Sequence, residues 1–191
     1  LYNAIDPNLV VDDEGTAWLS FGSFWNGIKL VKLADDRLSV ARPQEWHTIA
    51  SRHRYWKLDE ADAGDTFNSA IEAPFIFKKH GYYYLFVSWD RCCAGANSTY
   101  KIVVGRSENV TGPYLDRTGE DMRFGGGSLV ARGNDDWAAV GHNAAYTFDG
   151  TDYLVFHGYD LNDEGRSKLW ITEMEWDDDG WPVVSLEGGS S

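Results

Sequence analysis

A threefold internal repeat is the feature that most constrains what this chain can fold into. Three segments, "DPNLVVDDEGTAWLSFGSF" from Asp6, "EAPFIFKKHGYYYLFVSWD" from Glu72 and "HNAAYTFDGTDYLVFHGYD" from His142, share one pattern of polar leader, apolar run, glycine turn and apolar-aromatic run. The polar leaders are 66 and 70 residues apart, and the turn glycines are 66 and 69 apart. Because two landmarks agree on one period, the chain is predicted to be a tandem array of similar structural units.

Each repeat has the pattern of an antiparallel β-meander. Short β-branched and aromatic runs bounded by Gly, Asp and Asn predict strands, and no stretch shows a convincing amphipathic helical period. Third strands are predicted at 27–34, 100–107 and 168–176. Fourth strands are predicted near 46–50, 113–117 and 181–186. The predicted fold class is therefore all-β, a β-propeller of four-stranded antiparallel blades.

The repeat divides the chain into three blades, at approximately 1–66, 67–135 and 136–191, which form one partial propeller domain. Propellers usually have at least four blades, and an open stack of three leaves two uncovered sheet faces. We therefore expect these blades to belong to a larger ring whose N-terminal blades this sequence does not contain.

The charge and the aromatic content of the chain restrict the classes of partner that it can bind. The 17 basic and 30 acidic residues give a net charge of -13, which repels phosphate backbones and anionic lipids. We expect neither a nucleic-acid nor a membrane partner. Aromatic residues make up 15% of the chain, which suits a β-rich core or a surface on which sugar rings stack.

The repeat also predicts a site. The residues that open each repeat, Asp6, Glu72 and His142, should meet at one end of the central channel. Two carboxyl groups over a cleft suit acid-base hydrolysis, and apolar neighbours such as those in "SAIEAPFIF" raise the pKa of a carboxyl group, which favours Glu72 as proton donor. Considered one at a time, Asp6 fits a turn initiator, Glu72 a residue that caps a strand end, and His142 a hydrogen-bonded core histidine. Their shared position favours the functional interpretation.

Five runs, "NAIDPN", "GSFWNGI", "IEAPFIFKKHGYYYLFVSWDRCC", "STYKIVVGRSENVTGPYLD" and "VGHNAAY", resemble glycoside hydrolase family 43, specifically its endo-1,5-α-L-arabinanases. The resemblance extends in order from the first residues to about 176. It implies a five-bladed propeller, of which this chain is the C-terminal three blades. It also implies hydrolysis of the α-1,5-linked arabinan side chains of pectin with inversion, by a site with three carboxylates.

The resemblance assigns roles to the three residues. Asp6 matches the Asp that modulates the pKa of the acid and orients it, and Glu72 matches the general acid. His142 matches a His that helps hold a calcium or other ion, largely through waters, although calcium normally prefers oxygen ligands. No organic cofactor is expected. The general base belongs to a segment absent here, so the expected partner is a complementary N-terminal segment of the same split or nicked enzyme.

Substrate contacts are expected at Ser23, Trp25 and Cys92. Ser23 and Trp25 follow the second strand of the first repeat, where a turn serine and a half-buried tryptophan are the alternative. Cys92 and its neighbour Cys93 match a family loop near the cleft. A vicinal disulfide is strained, so two free thiols are the expected state.

Two other classes remain open. One is an exo-acting arabinofuranosidase or β-xylosidase of the same clan, and the other is a non-catalytic carbohydrate-binding propeller. The presence of both Asp6 and Glu72 argues against the second. By resemblance the protein is extracellular or periplasmic, because polymeric arabinan lies outside the cell.

Overall fold

The computed structural model describes residues 1–52 and 68–187. In these ranges the chain is built from β-strands, with two one-turn 3-10 segments at Gly95–Asn97 and Met122–Phe124 and no α-helix. None of their helical turns has the length or apolar character of a membrane span. The first hairpin of each repeat closes at Gly15, Gly81 or Gly150, whose φ angles of 85°, 79° and 80° are ones that glycine adopts without steric cost.

Three antiparallel sheets follow one another along the chain, as the repeat predicts. The first contains β1 (Asn8–Val11), β2 (Ala17–Phe21), β3 (Ile28–Lys32) and β4 (Trp46–Ala50) in that order. The second contains β5 (Ile71–Lys79), β6 (Tyr82–Trp89), β7 (Lys101–Ser107) and β8 (Ser128–Ala131) in that order. The third contains β9 (Trp137–Phe148), β10 (Thr151–Asp160) and β11 (Arg166–Glu173). A separate two-stranded ladder pairs β12 (Glu175–Trp176) with β13 (Pro182–Val183).

The prediction of a fourth strand at 113–117 was wrong. Leu115 forms only isolated bridges, to Arg106 and Asp121, and the fourth strand of the second sheet is β8. The cause is the turn that follows. Asp116 Oδ1 accepts the backbone N–H groups of Thr118 and Glu120, at 2.9 and 3.0 Å, and such local bonds end a ladder.

The predicted fourth strand near 181–186 is reduced to β13, which pairs with β12 and not with β11. Asp177 Oδ1 accepts the backbone N–H groups of Asp179 and Trp181, at 3.0 and 2.9 Å, and this closes a tight hairpin. The fourth strand predicted at 46–50 and all three third strands are confirmed within a few residues. The predicted blade boundary at 66 and 67 falls outside the described residues.

Strand β6 is buried on both faces and separates two cores. Leu85 and Val87 pack in one cluster with Trp18 of the first sheet. Tyr84 and Phe86 pack in another cluster with residues of the third sheet. Because successive strand residues point to opposite faces, one continuous apolar run fills both blade interfaces. Burying each such side chain contributes about 1.5–3 kcal/mol.

The outer faces of the two end sheets are apolar and open. On the first sheet, Leu9 and Trp46 are 49% and 39% exposed, and Trp46 borders a groove of about 260 Å³. On the third sheet, Leu169 and Ile171 flank the buried Trp170 and are 71% and 62% exposed. Apolar faces of this kind mark interaction surfaces.

Candidate active site at the propeller axis

The inner strand of each sheet breaks at the same place. Asp6, Ala73 and His142 have φ angles of 57°, 55° and 55°, in the left-handed region. Asp6 lies two residues before the first strand, Ala73 lies in an irregularity of β5, and His142 lies in an irregularity of β9. Each such residue costs about 1–3 kcal/mol, and strain of this kind concentrates at functional sites.

The residues that open the repeats converge, as the repeat predicts. One ligand-type atom from each of Asp6, Glu72 and His142 lies within 4.8 Å of the other two. His142 Nε2 is 4.0 Å from Asp6 Oδ1, with the Asp6 side chain 12% exposed and the His142 side chain 48% exposed. Asp6 and His142 line a cavity of about 530 Å³ that is also lined by Asn143 and His157.

Hydroxyl groups contact both carboxyl oxygens of Glu72. Ser23 Oγ lies 3.3 Å from Glu72 Oε1, and the Tyr100 hydroxyl lies 2.9 Å from Glu72 Oε2. An isolated bridge between the backbones of Ser23 and Glu72 joins the first and second sheets here. The structure therefore places Ser23, a predicted substrate contact, directly against the predicted acid.

Asp6 fixes the backbone immediately beyond Glu72. Its Oδ2 accepts the N–H of Ala73 at 3.1 Å, while its Oδ1 faces His142. The left-handed conformation of Ala73 belongs to the same irregularity. Asp6 thus holds the segment that carries Glu72, which is the geometry that an orienting residue requires.

Tyr100 is a site residue that the sequence analysis missed. It is 1% exposed, and burial, followed by the charge of Glu72, raises the pKa of its hydroxyl group. The Ser88 side chain acts in the opposite direction and lowers the pKa of this hydroxyl, and Ser88 Oγ accepts the backbone N–H of His142 at 2.8 Å. Tyr100 is one of ten tyrosines, and no spacing in the sequence connects it with Glu72.

His157 and Tyr159 extend this polar cluster. The His157 ring lies 5.9 Å from the Tyr100 ring, and His157 Nε2 is 3.0 Å from the Tyr159 hydroxyl. Burial, followed by the charge of His142, lowers the pKa of His157. A neutral imidazole is therefore favoured beside the predicted ion ligand.

Cys92 and Cys93 form a vicinal disulfide, so the prediction of two free thiols was wrong. Cys93 has a left-handed φ of 65°, and its N–H donates to the Tyr159 hydroxyl at 2.8 Å. Cys92 packs against the buried cluster of Tyr100, Ala139 and Tyr159. This anchored turn places the two neighbouring sulfurs together beside the cluster that supports Glu72.

Trp25 lies on an exposed loop beside the site. It is 49% exposed and its neighbour Phe24 is 38% exposed. The N–H of Phe24 donates to the Ile71 carbonyl at 2.8 Å, which fixes this loop against the start of the strand that carries Glu72. An exposed aromatic ring in a fixed loop suits stacking against a sugar ring.

A calcium ion requires six to eight oxygen ligands. The three converging residues offer one atom each, and Glu72 already has both oxygens engaged. Next to His142, the buried Asn143 side chain has neither amide atom hydrogen-bonded within the described part of the chain. These residues fit a cation that keeps most of its ligands as water, and they do not form a complete calcium cage.

A family model supports the resemblance. The model of "Glycosyl hydrolases family 43" matches residues 1–182. The "Extracellular exo-alpha-(1->5)-L-arabinofuranosidase ArbA" of Cellvibrio japonicus is 55% identical over 184 residues, which cover 96% of this chain and 52% of that protein. The "Extracellular endo-alpha-(1->5)-L-arabinanase 1" of Bacillus subtilis is 45% identical over 181 residues, which cover 95% of this chain and 50% of that protein. The chain spans about half the length of the curated relatives it matches.

Solved structures agree with the fold. The α-L-arabinanase of Cellvibrio cellulosa superposes with a TM-score of 0.88 at 55% identity, over 97% of this chain and 58% of that one. The same values hold for its complex with arabinohexaose. The native Bacillus subtilis arabinanase superposes with a TM-score of 0.77 at 44% identity, over 95% of this chain and 56% of that one. The three sheets are therefore blades of the five-bladed propeller of these arabinanases.

Proposed function

Because the chain belongs to glycosyl hydrolase family 43, we propose that it is the acid-bearing part of an enzyme that hydrolyses α-1,5-linked L-arabinan. The observation that carries the proposal is the meeting of Asp6 and Glu72 at the propeller axis, where a hydroxyl group contacts each oxygen of Glu72. A non-catalytic sugar-binding propeller has no need for such an arrangement.

In the proposed reaction Glu72 is the general acid. It protonates the leaving glycosidic oxygen while the bond to the anomeric carbon breaks, and its carboxylate then accepts hydrogen bonds from Ser23 and Tyr100. Asp6 orients this acid through the Ala73 amide. Both hydroxyl groups are in place before the reaction, so the developing charge needs no reorganisation of the protein.

The general base is proposed to come from outside this chain. An inverting glycosidase separates its acid and base by about 6.5–9.5 Å so that a water fits beside the anomeric carbon. Oxygens of Asp6 and Glu72 lie within 4.8 Å, which is too close for that role. Asp6 is also largely buried, with 12% of its side chain exposed. A short separation is compatible with a retaining reaction as well, so the stereochemistry is the decisive measurement.

A complementary N-terminal segment is the proposed partner. The open apolar faces around Leu9 and Trp46 on the first sheet, and around Leu169 and Ile171 on the third, are the two ends of the blade stack. Two further blades between these ends would bury both faces and complete five. Closure would also bring a base to the face of the sugar opposite Glu72. With a net charge of -13, nucleic acid is not a proposed partner.

Trp25 and the Cys92–Cys93 disulfide are proposed to contact the substrate. Trp25 offers an exposed ring beside Ser23, which touches Glu72. Cys92 is half-buried and packs on the cluster that contains Tyr100, whose hydroxyl contacts Glu72. Apolar surfaces flanking the acid suit the apolar faces of arabinofuranose rings.

His142 is proposed to hold a cation, calcium or another, largely through waters. Its ring is 48% exposed at the axis, and Asn143 beside it offers buried polar atoms for an ordered water. When bound, such a cation supplies positive charge near the two carboxyl groups. His142 and Asn143 would hold its water shell, and Asp6 Oδ1 lies 4.0 Å from His142 Nε2.

An exo-acting arabinofuranosidase is the second candidate, and one observation favours it. The relative with that name is 55% identical, against 45% for the relative named as an endo-arabinanase. Whether the cleft is open or closed at one end depends on loops of the complementary segment. Both relatives are named extracellular, and we propose an extracellular or periplasmic location for this chain as well.

The proposal is tested on the assembled enzyme, meaning this chain together with the N-terminal segment that completes the ring. Reducing-sugar release from linear arabinan is expected, and Glu72→Gln should lower it about 10²–10⁴-fold. Glu108→Gln, at an exposed glutamate, is the matched control and should retain full activity. Absence of release by the unchanged enzyme, or full activity of Glu72→Gln, would contradict the proposal.

Two product analyses complete the test. NMR of the first-formed anomer should show inversion, whereas retention would assign Asp6 as a nucleophile and remove the need for an outside base. Chromatography of early products separates the two specificities, because an endo enzyme releases mixed oligosaccharides and an exo enzyme releases one short product.

A further inference from the structure

Hydrogen bonds from neighbouring strands surround the proposed acid. The backbone N–H of His142 donates to Ser88 Oγ at 2.8 Å, and the Tyr100 hydroxyl lies 2.9 Å from Glu72 Oε2. Ser88 is the strand partner of Glu72, and its side chain also influences the pKa of the Tyr100 hydroxyl. Ser88 is fully buried and Tyr100 is 1% exposed. Water therefore has little access to compete for these bonds.

Hydrogen-bond donors are assigned at both ends of this group. A backbone N–H only donates, so Ser88 Oγ accepts from His142, and the Ser88 proton remains available to the Tyr100 hydroxyl. Tyr100 has one proton, which it donates to Glu72 Oε2. Burial and the charge of Glu72 raise the pKa of the Tyr100 hydroxyl, so it stays protonated.

We infer that Tyr100 is a positioning residue that confines the catalytic proton of Glu72 to Oε1, an inference that rests on the proposed function. Because Oε2 accepts the Tyr100 proton, it is the carbonyl oxygen of the neutral acid. The acidic proton is then on Oε1, the oxygen beside Ser23 and the substrate loop. On proton transfer the O–H bond of Oε1 breaks, the new O–H bond forms on the leaving sugar oxygen, and Ser23 can turn its own proton to Oε1.

The arrangement also couples blades. Ser23 follows β2 of the first sheet, Tyr100 precedes β7 and Ser88 lies in β6 of the second sheet, and the His142 amide comes from the third. The proton is confined to one oxygen only while all three sheets keep their register. A carboxyl group without the Tyr100 bond is free to hold the proton on either oxygen and to rotate.

The test compares leaving groups in the assembled enzyme. Tyr100→Phe removes only the hydroxyl, so kcat on linear arabinan should fall about 10–100-fold, since a mispositioned acid loses much of general-acid catalysis. A dinitrophenyl arabino-oligosaccharide has a leaving group that needs no proton, and its kcat should change less than about 3-fold. Equal losses on both substrates, or no loss on arabinan, would overturn the inference.

Two further variants keep the outcome unambiguous. Tyr114→Phe is the matched control, because Tyr114 is a fully buried tyrosine in the connection between β7 and β8, and its hydroxyl donates to the Val110 carbonyl. This variant should have a lower free energy of unfolding, and any loss of kcat should be the same for both substrates. Ser88→Ala keeps the Tyr100 hydroxyl but removes the Ser88 hydroxyl that accepts the His142 N–H, and it should show the same substrate dependence as Tyr100→Phe, smaller in size. It decides the question if Tyr100→Phe does not fold. A wild type inactive on arabinan would instead refute the proposed function itself.

Discussion

Gly141 is expected to be irreplaceable, because it allows Tyr100 to reach Glu72. A Cβ built on Gly141 would lie 2.1 Å from Cδ2 and 2.3 Å from Cε2 of the Tyr100 ring. Ordinary contact begins near 3.4 Å, so Gly141→Ala must push the ring by about 1.3 Å. The Tyr100 hydroxyl is 2.9 Å from Glu72 Oε2, and a shift of that size would break the bond.

Gly141→Ala should affect the rate and the stability of the protein separately. Misplacing a catalytic group by about 1 Å costs about 100-fold in rate, so kcat on linear arabinan should fall by about that factor. Overpacking should also lower the free energy of unfolding by about 1–3 kcal/mol. The assay is arabinan hydrolysis by the assembled enzyme well below its melting temperature, with circular dichroism to confirm folding.

Gly150→Ala is the control for this substitution. Gly150 has no neighbour within 4 Å of its built Cβ, and its φ of 80° means that alanine brings backbone strain alone. This variant should be destabilised by about 1 kcal/mol and keep its activity. A folded Gly141→Ala enzyme with wild-type kcat would refute the reasoning that close packing at Gly141 holds Tyr100 on Glu72.

Three further results are expected. Asp152→Asn should lower the free energy of unfolding by about 2–3 kcal/mol. Burial opposes ionisation of Asp152, but the bonds from Lys79 and other donors outweigh burial and lower the pKa of this carboxyl group. In denaturant titrations the loss of stability should therefore be complete above pH ~4 and shrink as the pH falls further. Trp25→Ala should raise KM for arabinan about 10-fold with kcat nearly unchanged, because the ring is exposed and touches no reacting group. Reducing the Cys92–Cys93 disulfide should weaken oligosaccharide binding measured by calorimetry, and unchanged affinity would remove these residues from the substrate site.

The repeat made much of the fold predictable. Hairpin glycines such as Gly81 and the polar leaders repeat with one period, and that period determines strand order and the meeting of Asp6, Glu72 and His142. Local polar turns were not predictable in the same way. Asp116 ended a predicted strand because its carboxylate bonds to nearby amides, and strand propensity carries no information on that competition.

The supporting part of the site could not be read from the sequence for a related reason. Tyr100 lies 28 residues from Glu72 with no periodic relation to it, and their contact depends on how neighbouring strands pair. The same holds for the Cys92–Cys93 disulfide. General geometry disfavours such a bond, and the anchor that favours this turn, the Tyr159 hydroxyl, is 66 residues from Cys93.

The proposed acid, Glu72, is held by the packing between blades more than by any one blade. Ser23 contacts Glu72 from the end of the first sheet, and the His142 amide of the third sheet donates to Ser88, the strand partner of Glu72. The two apolar cores on either side of β6 set the spacing of these sheets. A change in blade spacing that is too small to unfold the chain is still large compared with the range of distances that a hydrogen bond tolerates. A large-to-small substitution in either core should therefore reduce turnover at temperatures where the protein is still folded.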